Sequence, residues 1–117
     1  YEMLRSLVGS EMCISDSYDA ILLDPPKFGR GPEGEVWKLE EHLPALIADC
    51  RRLLDERSSC LFLTVYAVRM SALALGELLA AHFADLPGRI EIGELAVREQ
   101  SGGRLLPTAI FARWSNG

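Results

Sequence analysis

Two apolar runs, Ala20-Ile21-Leu22-Leu23 and Cys60-Leu61-Phe62-Leu63-Thr64-Val65-Tyr66, set most of what this chain can fold into. Neither alternates polar with apolar residues, the pattern of a strand covered on both faces in an α/β sheet. Between them apolar residues fall at Leu39, Leu43, Leu46, Ile47, Cys50, Leu53 and Leu54, steps of three and four that mark one helix face ending near Asp55. A strand, a helix and a strand with so long a connection form a parallel pair through a right-handed crossover. Tyr18 to Leu23 and Cys60 to Val65 are therefore expected to be adjacent and parallel.

The other segments can be placed around this unit. Apolar positions Met3, Leu4, Leu7 and Val8 give a short helical period over 1–8, and 10–17 reads as a connection into the first strand. Pro44 suits the first turn of the main helix, where no amide donor is needed, with Glu35 to His42 as a separate turn before it. Trp37 either closes over a site or packs onto its own helix. Met70 to Phe83 reads as a second helix with Leu73, Leu75, Leu78, Leu79 and Phe83 as apolar contacts and Leu86-Pro87-Gly88 as its stop. Ile90 and Ile92 alternate, and Leu95 and Val97 alternate in the opposite phase, which predicts a bulge at Gly93. Ser101-Gly102-Gly103 turns the chain into a returning strand. There Leu106, Thr108, Ile110, Ala112 and Trp114 share one face, and Leu105, Ala109 and Phe111 share the other. Pro107 implies a strand margin or a bulge near its start.

Composition narrows the classes. With 117 residues, 49% of them hydrophobic, the chain fits one globular domain or part of one. No apolar stretch approaches the ~20 residues that span a bilayer, so a soluble, cytoplasmic protein is expected. Cys13, Cys50 and Cys60 have no pairing pattern and no histidine at ligand spacing, which points to a reducing compartment, packed thiols and no metal. The net charge of −5 argues against phosphate binding by the chain as a whole, and the rim of Lys27, Arg30 and Lys38 is diluted by Glu33, Glu35, Glu40 and Glu41.

The first apolar run stops on Asp24-Pro25-Pro26-Lys27-Phe28-Gly29-Arg30-Gly31. Asp24 is the first side chain past the carboxyl end of a strand, where ligand sites of open α/β sheets lie. The prolines remove two donors and fix φ, which holds Lys27 and Phe28 in place. The same residues also suit a proline turn with Phe28 as a packed lid. Gly29 to Gly34 reads as a mobile substrate-side loop; it lacks the Lys-Ser/Thr ending of a phosphate loop.

An acid, two prolines and an aromatic within four positions resemble the fourth motif of class I S-adenosylmethionine-dependent methyltransferases. The run Asp24 to Phe28 is most similar to the branch that modifies bases of large-subunit ribosomal RNA, and the element order stays similar as far as Trp114. The resemblance implies an α/β fold: the C-terminal part of a Rossmann-like class I methyltransferase sheet, with parallel strands and a terminal antiparallel hairpin. It implies S-adenosyl-L-methionine as cofactor and RNA, ribosomal in that branch, as partner. Asp24, Pro25, Pro26 and Lys27 would then border the transferred methyl group and the target base, and Asp24 and Pro25 would also meet the cofactor. Phe28, Arg30 and Tyr66 would meet the substrate. A methyl sulfonium is already electrophilic, so catalysis by such a site is chiefly alignment. Pro26 and Phe28 would offer apolar and π surface to an unstacked base, Asp24 or a motif carbonyl would accept from its amino group, and Lys27 would reach phosphate.

Two parts of the family pattern are missing from 1–117: a glycine-rich turn after a first strand, and an acid ending a second strand to hold a ribose. The expectation is thus a single partial domain over 1–117 that lacks the N-terminal cofactor-binding half. Tyr1 in place of Met fits a fragment or a processed product. Tyr66-Ala67-Val68 stands where relatives that methylate cytosine C5 have a Ser-Cys-Ser-like run, and Cys60 lies about 20 Å away at ~3.3 Å per residue. Methylation of nitrogen or oxygen is favoured instead. The reading from a different class is a catalytically inactive truncated remnant serving as an interaction module. The exposed edge of its first strand would be the contact and would also support a homodimer. An unrelated nucleotide-binding α/β domain is the third, without a phosphate fingerprint to support it.

Overall fold

The structure, a computed structural model, describes residues 18–117. The helical period over 1–8 and the connection over 10–17, with Cys13, lie outside the described residues. Along the chain the elements are β1 (Ala20–Leu23), β2 (Phe28–Arg30), β3 (Val36–Lys38), α1 (Leu39–Arg51), β4 (Cys60–Val65), α2 (Ala72–Phe83), β5 (Arg89–Arg98) and β6 (Leu105–Ser115).

The two apolar runs pair in parallel, from Ala20 opposite Cys60 to Leu23 opposite Leu63. β6 lies antiparallel on the far side of β4, and β5 follows, so the sheet order is β1-β4-β6-β5. This is the expected parallel pair with a terminal reversed hairpin. A small second sheet pairs β2 with β3.

The burial of the sheet departs from expectation, because among the described residues helices cover one face and not both. Leu61, Leu63 and Val65 are fully buried, and with Ala112 and Trp114 they pack against Leu43, Leu46 and Ile47 of α1 and Leu75, Leu79 and Phe83 of α2. Side chains alternate along a strand, so the intervening residues face the other way. Leu22 is 77% exposed there, opposite Phe62, and the rings of Phe62 and Phe111 stack at 5.4 Å. The apolar residues of β1 and β4 thus supply both a core face and an open apolar face.

Several local expectations are corrected. Leu39 begins α1, since its amide donates to Lys27 O at 3.0 Å and Glu40 and Glu41 occupy the positive end of the helix. Glu35 to His42 is therefore no separate turn. Pro44 lies inside the helix, not in its first turn; the missing amide falls on the exposed side, where water can serve the Glu40 carbonyl. The helix ends at Arg51, whose guanidinium donates to Leu54 O at 2.8 Å and to Asp85 at 2.7 Å, tying the end of α1 to the end of α2. Ser71 caps α2, and Leu73, expected as an apolar contact, is exposed.

The bulge lies between Leu95 and Ala96, not at Gly93. Ala109 opposes Leu95 and Pro107 opposes Ala96, which leaves Thr108 as the extra residue, its hydroxyl donating to Leu95 O at 2.9 Å. The expected common face from Leu106 to Trp114 therefore breaks, with Trp114 buried and Leu106 exposed. Gly93 instead makes room for its cross-strand partner: a Cβ there would meet the Phe111 ring at 2.8 Å.

Of the three thiols, Cys50 is buried and Cys60 half-buried. Burial, and after it the Asp49 charge, push the Cys50 thiol up to about 12, so it stays protonated and inert. No helix among the described residues is long and apolar enough to cross a membrane.

Candidate functional site

Asp24 sits one residue beyond β1, at the carboxyl end of two parallel strands. Its Oδ1 accepts from the Thr64 hydroxyl at 2.8 Å. The same hydroxyl is 3.4 Å from Leu23 O, so its proton goes to the carboxylate. Thr64 is the one hydroxyl in an apolar strand and faces away from the core; the parallel pairing expected of the two runs places Thr64 to Val68 beside Asp24, and the hydrogen bond is what the structure adds. Its bond fixes one carboxylate oxygen and leaves the other free to accept.

Past Asp24, Pro25 is buried and Pro26 half-buried. The Pro26 carbonyl accepts from Trp37 Nε1 at 2.6 Å, and the Lys27 carbonyl accepts the first amide of α1. Trp37 is thus a buried anchor, 2% exposed, against which His42 lies at 5.6 Å between ring centroids. It neither closes over a site nor packs only on its helix. It holds the two-proline segment from beneath, which sequence periodicity does not reveal because Trp37 lies on β3 and not on α1.

The expected mobile glycine loop is a β-hairpin. Phe28 pairs with Lys38, Gly29 with Trp37 and Arg30 with Val36, and the turn closes with Gly31 N donating to Glu35 O at 2.8 Å. Gly34 takes φ 85° there, which glycine adopts without strain. The pairing holds Phe28 outward, 52% exposed, with the Arg30 guanidinium 5.8 Å from its ring centroid. Lys27, Phe28, Lys38, Leu39, Glu40 and Glu41 line one open cleft of about 230 Å³.

Tyr66, 48% exposed, follows β4 and precedes Ala67, a non-glycine residue at φ 55°. Tyr66 lines a different cavity of about 170 Å³, with Val68, Met70, Glu94 and Ile110 among its walls. The structure therefore joins Asp24 to Thr64, and Lys27 to Phe28 and Lys38, while Tyr66 borders separate space. Among the described residues no three His, Cys, Asp or Glu converge to hold a metal ion.

No protein-family model matches the sequence, and no curated protein does. Solved structures do. A parallel pair continued by a reversed hairpin, with Asp-Pro-Pro at the carboxyl end of the edge strand, defines part of a class I S-adenosylmethionine-dependent methyltransferase sheet. The chain overlays the SAM-dependent methyltransferase from Agrobacterium tumefaciens with a TM-score of 0.86 and 38% identity, covering 96% of this chain and 37% of that one. It also overlays the methyltransferase SMU.776 complexed with SAH, with a TM-score of 0.65 and 20% identity over 93% of this chain and 29% of the other. A SAM-dependent methyltransferase from Streptococcus mutans gives a TM-score of 0.60 at 15% identity, over 95% and 29%. At those two identities the likeness is one of fold. The chain carries the class I methyltransferase fold over about a third of the length of these relatives, and S-adenosylmethionine is the cofactor of that class.

The residues present fit such a group in part. Asp24 offers a free carboxylate oxygen at the strand end, where the class binds its ligands. Among the described residues no glycine forms a turn between a parallel strand and a helix N-terminus.

Proposed function

We propose that this chain is the target-side part of an S-adenosylmethionine-dependent RNA methyltransferase, a single partial domain over 1–117 without the cofactor-binding half. The observation that carries this reading is the geometry at Asp24: a carboxylate pinned by Thr64 on one oxygen and open on the other, beside a proline segment clamped by Trp37. The cofactor, when bound, supplies an electrophilic methyl group, and these residues do the aligning. With the Pro26 and Lys27 carbonyls already engaged, the open Asp24 carboxylate oxygen is an acceptor available to an amino group of the target base, with Pro25 as its apolar neighbour. That favours an N–H nucleophile within the N- or O-methylation class, and Tyr66-Ala67-Val68 supplies no thiol for cytosine C5 chemistry.

RNA is favoured as substrate by the outward face of Phe28, which suits an unstacked base, and by Lys27 and Arg30 beside it, which suit phosphate. Tyr66, expected at the substrate, lines the separate cavity beyond β4 and is not needed for this reading. The test is tritiated methyl transfer to ribosomal RNA by a protein that carries this chain within a complete methyltransferase domain. Asp24→Ala should lower kcat by about 10²-fold or more, and Phe28→Ala should raise KM for RNA. Transfer to DNA or protein alone, or full activity without Asp24, would refute the reading. The 117-residue chain alone should show no S-adenosylmethionine binding below millimolar concentration, about −4 kcal/mol; micromolar affinity by calorimetry would contradict the partial-domain assignment.

A further inference from the structure

Among the described residues β5 is an edge strand along its whole length, and the hairpin it forms with β6 runs past the end of β4, which pairs with β6 only at Ile110 to Ser115. On this projecting part Leu95, Val97, Leu105 and Leu106 are 36%, 59%, 58% and 65% exposed. The bulge that would ordinarily blunt such an edge has its extra residue, Thr108, on β6, so β5 itself runs regularly. We propose that β5 pairs antiparallel with β5 of a second copy of this chain, about a two-fold axis through Ala96, so that one sheet runs through both copies.

The register follows from the backbone. Glu99 points its amide and carbonyl at β6, donating to Arg104 O at 2.7 Å and accepting from Gly103 N at 3.0 Å. Alternation along the strand then turns the amides and carbonyls of Arg98, Ala96 and Glu94 outward. Pro107, opposite Ala96, has no amide to offer in any case. Pairing must set outward residues of one copy against outward residues of the other, so the axis falls on a residue. Centred on Glu94, it opposes like charges; centred on Leu95, it opposes Glu91 to Glu99. Centred on Gly93 or Val97, it forms no ion pair.

Centred on Ala96, it sets Glu94 against Arg98 twice and Leu95 against Val97 twice. Among the described residues Glu94 has no ion pair, and Arg98 spends one donor on Gly103 O at 2.9 Å. Because Val97 lies opposite Leu106, the same register joins Leu106, Val97 and the second copy's Leu95 into one apolar stripe, twice over. The β1 edge has no such match: it is four residues long and ends at a carboxylate.

Sedimentation equilibrium of the 117-residue chain over a concentration series tests the proposal. A monomer–dimer equilibrium is expected. Val97→Lys should weaken it by about 100-fold or more, while Leu22→Lys, on the β1 side, should leave it unchanged. Glu94→Arg and Arg98→Glu should each weaken the dimer by about 10-fold, and the two together should restore it. Ala96→Cys should give a disulfide-linked dimer under mild oxidation, because facing hydrogen-bonded residues stand about 5.5 Å apart between Cα atoms, and Gln100→Cys should not. A monomer up to high micromolar concentration, a dimer lost with Leu22→Lys but kept with Val97→Lys, or a charge swap that fails to restore pairing would overturn it.

Discussion

Replacing Trp37 by Phe isolates the clamp under the Asp24-Pro25-Pro26 segment. The change removes the 2.6 Å bond from Nε1 to Pro26 O, and it shrinks a side chain that is only 2% exposed. The lost hydrogen bond is worth about 1 kcal/mol; Pro26 is half-buried, so water can reach part of the carbonyl and the cost stays near that value. Indole to phenyl leaves roughly 40 Å³ unfilled, about 1 kcal/mol at 24 cal/mol per Å³. Together the loss is about 2 kcal/mol, which moves the urea midpoint down by roughly 1 to 1.5 M if m is near 1.5 kcal/mol per M. The variant keeps Trp114, the second of two tryptophans, as a fluorescent reporter buried elsewhere in the core. Unfolding followed by that emission gives the number directly. A loss below about 0.5 kcal/mol with unchanged m would mean that Trp37 is not clamping the segment.

Two further substitutions probe glycines at positive φ. Gly88 has φ 125°, and a Cβ there would lie 2.5 Å from Ser115 O and 2.8 Å from Trp114 Nε1, so Gly88→Ala should cost about 3 kcal/mol and lower Tm by ~10 °C or more. Gly34→Ala, at φ 85° in open space, should cost nearer 1 kcal/mol, and equal losses at both sites would show that contact is not the cause. Cys50 sets an alkaline limit, since its thiol ionises near 9.0 when unfolded and at about 12 when folded. Its contribution is whole below the lower value and is lost as pH rises between the two, at about 1.4 kcal/mol per pH unit. Cys50→Ala should flatten that slope in urea midpoints taken at about pH 8 and about pH 10; an unchanged slope would assign it to another group.

What the sequence made legible was the part that local chemistry controls. Ala20 to Leu23, Cys60 to Val65 and the helical steps between them determine a parallel pair, and Asp24 with two prolines marks the strand end as a candidate site. What it hid depends on contacts far apart in the chain. Leu22 reads like Leu23, yet one is exposed and the other packs on the core, because only one sheet face has helices among the described residues. Gly29 to Gly34 carries the composition of a loop, but backbone pairing of Phe28 to Arg30 with Val36 to Lys38 makes it a hairpin. Thr64 and Trp37 lie 40 and 11 residues from the atoms they hold, beyond any spacing rule. Of the two signals for a bulge, Gly93 is misleading, being small because of Phe111, whereas Pro107 marks the right place, since the register slips beside it.

The separation of Thr64 from Asp24 also orders how the molecule comes together in time. β5 and β6 are closed by a turn whose ends, Glu99 and Arg104, are five residues apart, whereas the contact between Asp24 and Thr64 spans 40. The entropy of closing a loop rises with its length, so the hairpin can form first as a local event, ahead of the pairing of β1 with β4 across 40 residues and of β4 with β6 across 45 to 55. Among the described residues β1 is held by β4 alone, through four residue pairs, whereas β4 is held on both sides. Amide protons of Ile21 to Leu23 should therefore exchange faster than those of Leu61 to Val65. The strand that delivers Asp24 would then release before the rest of the sheet does.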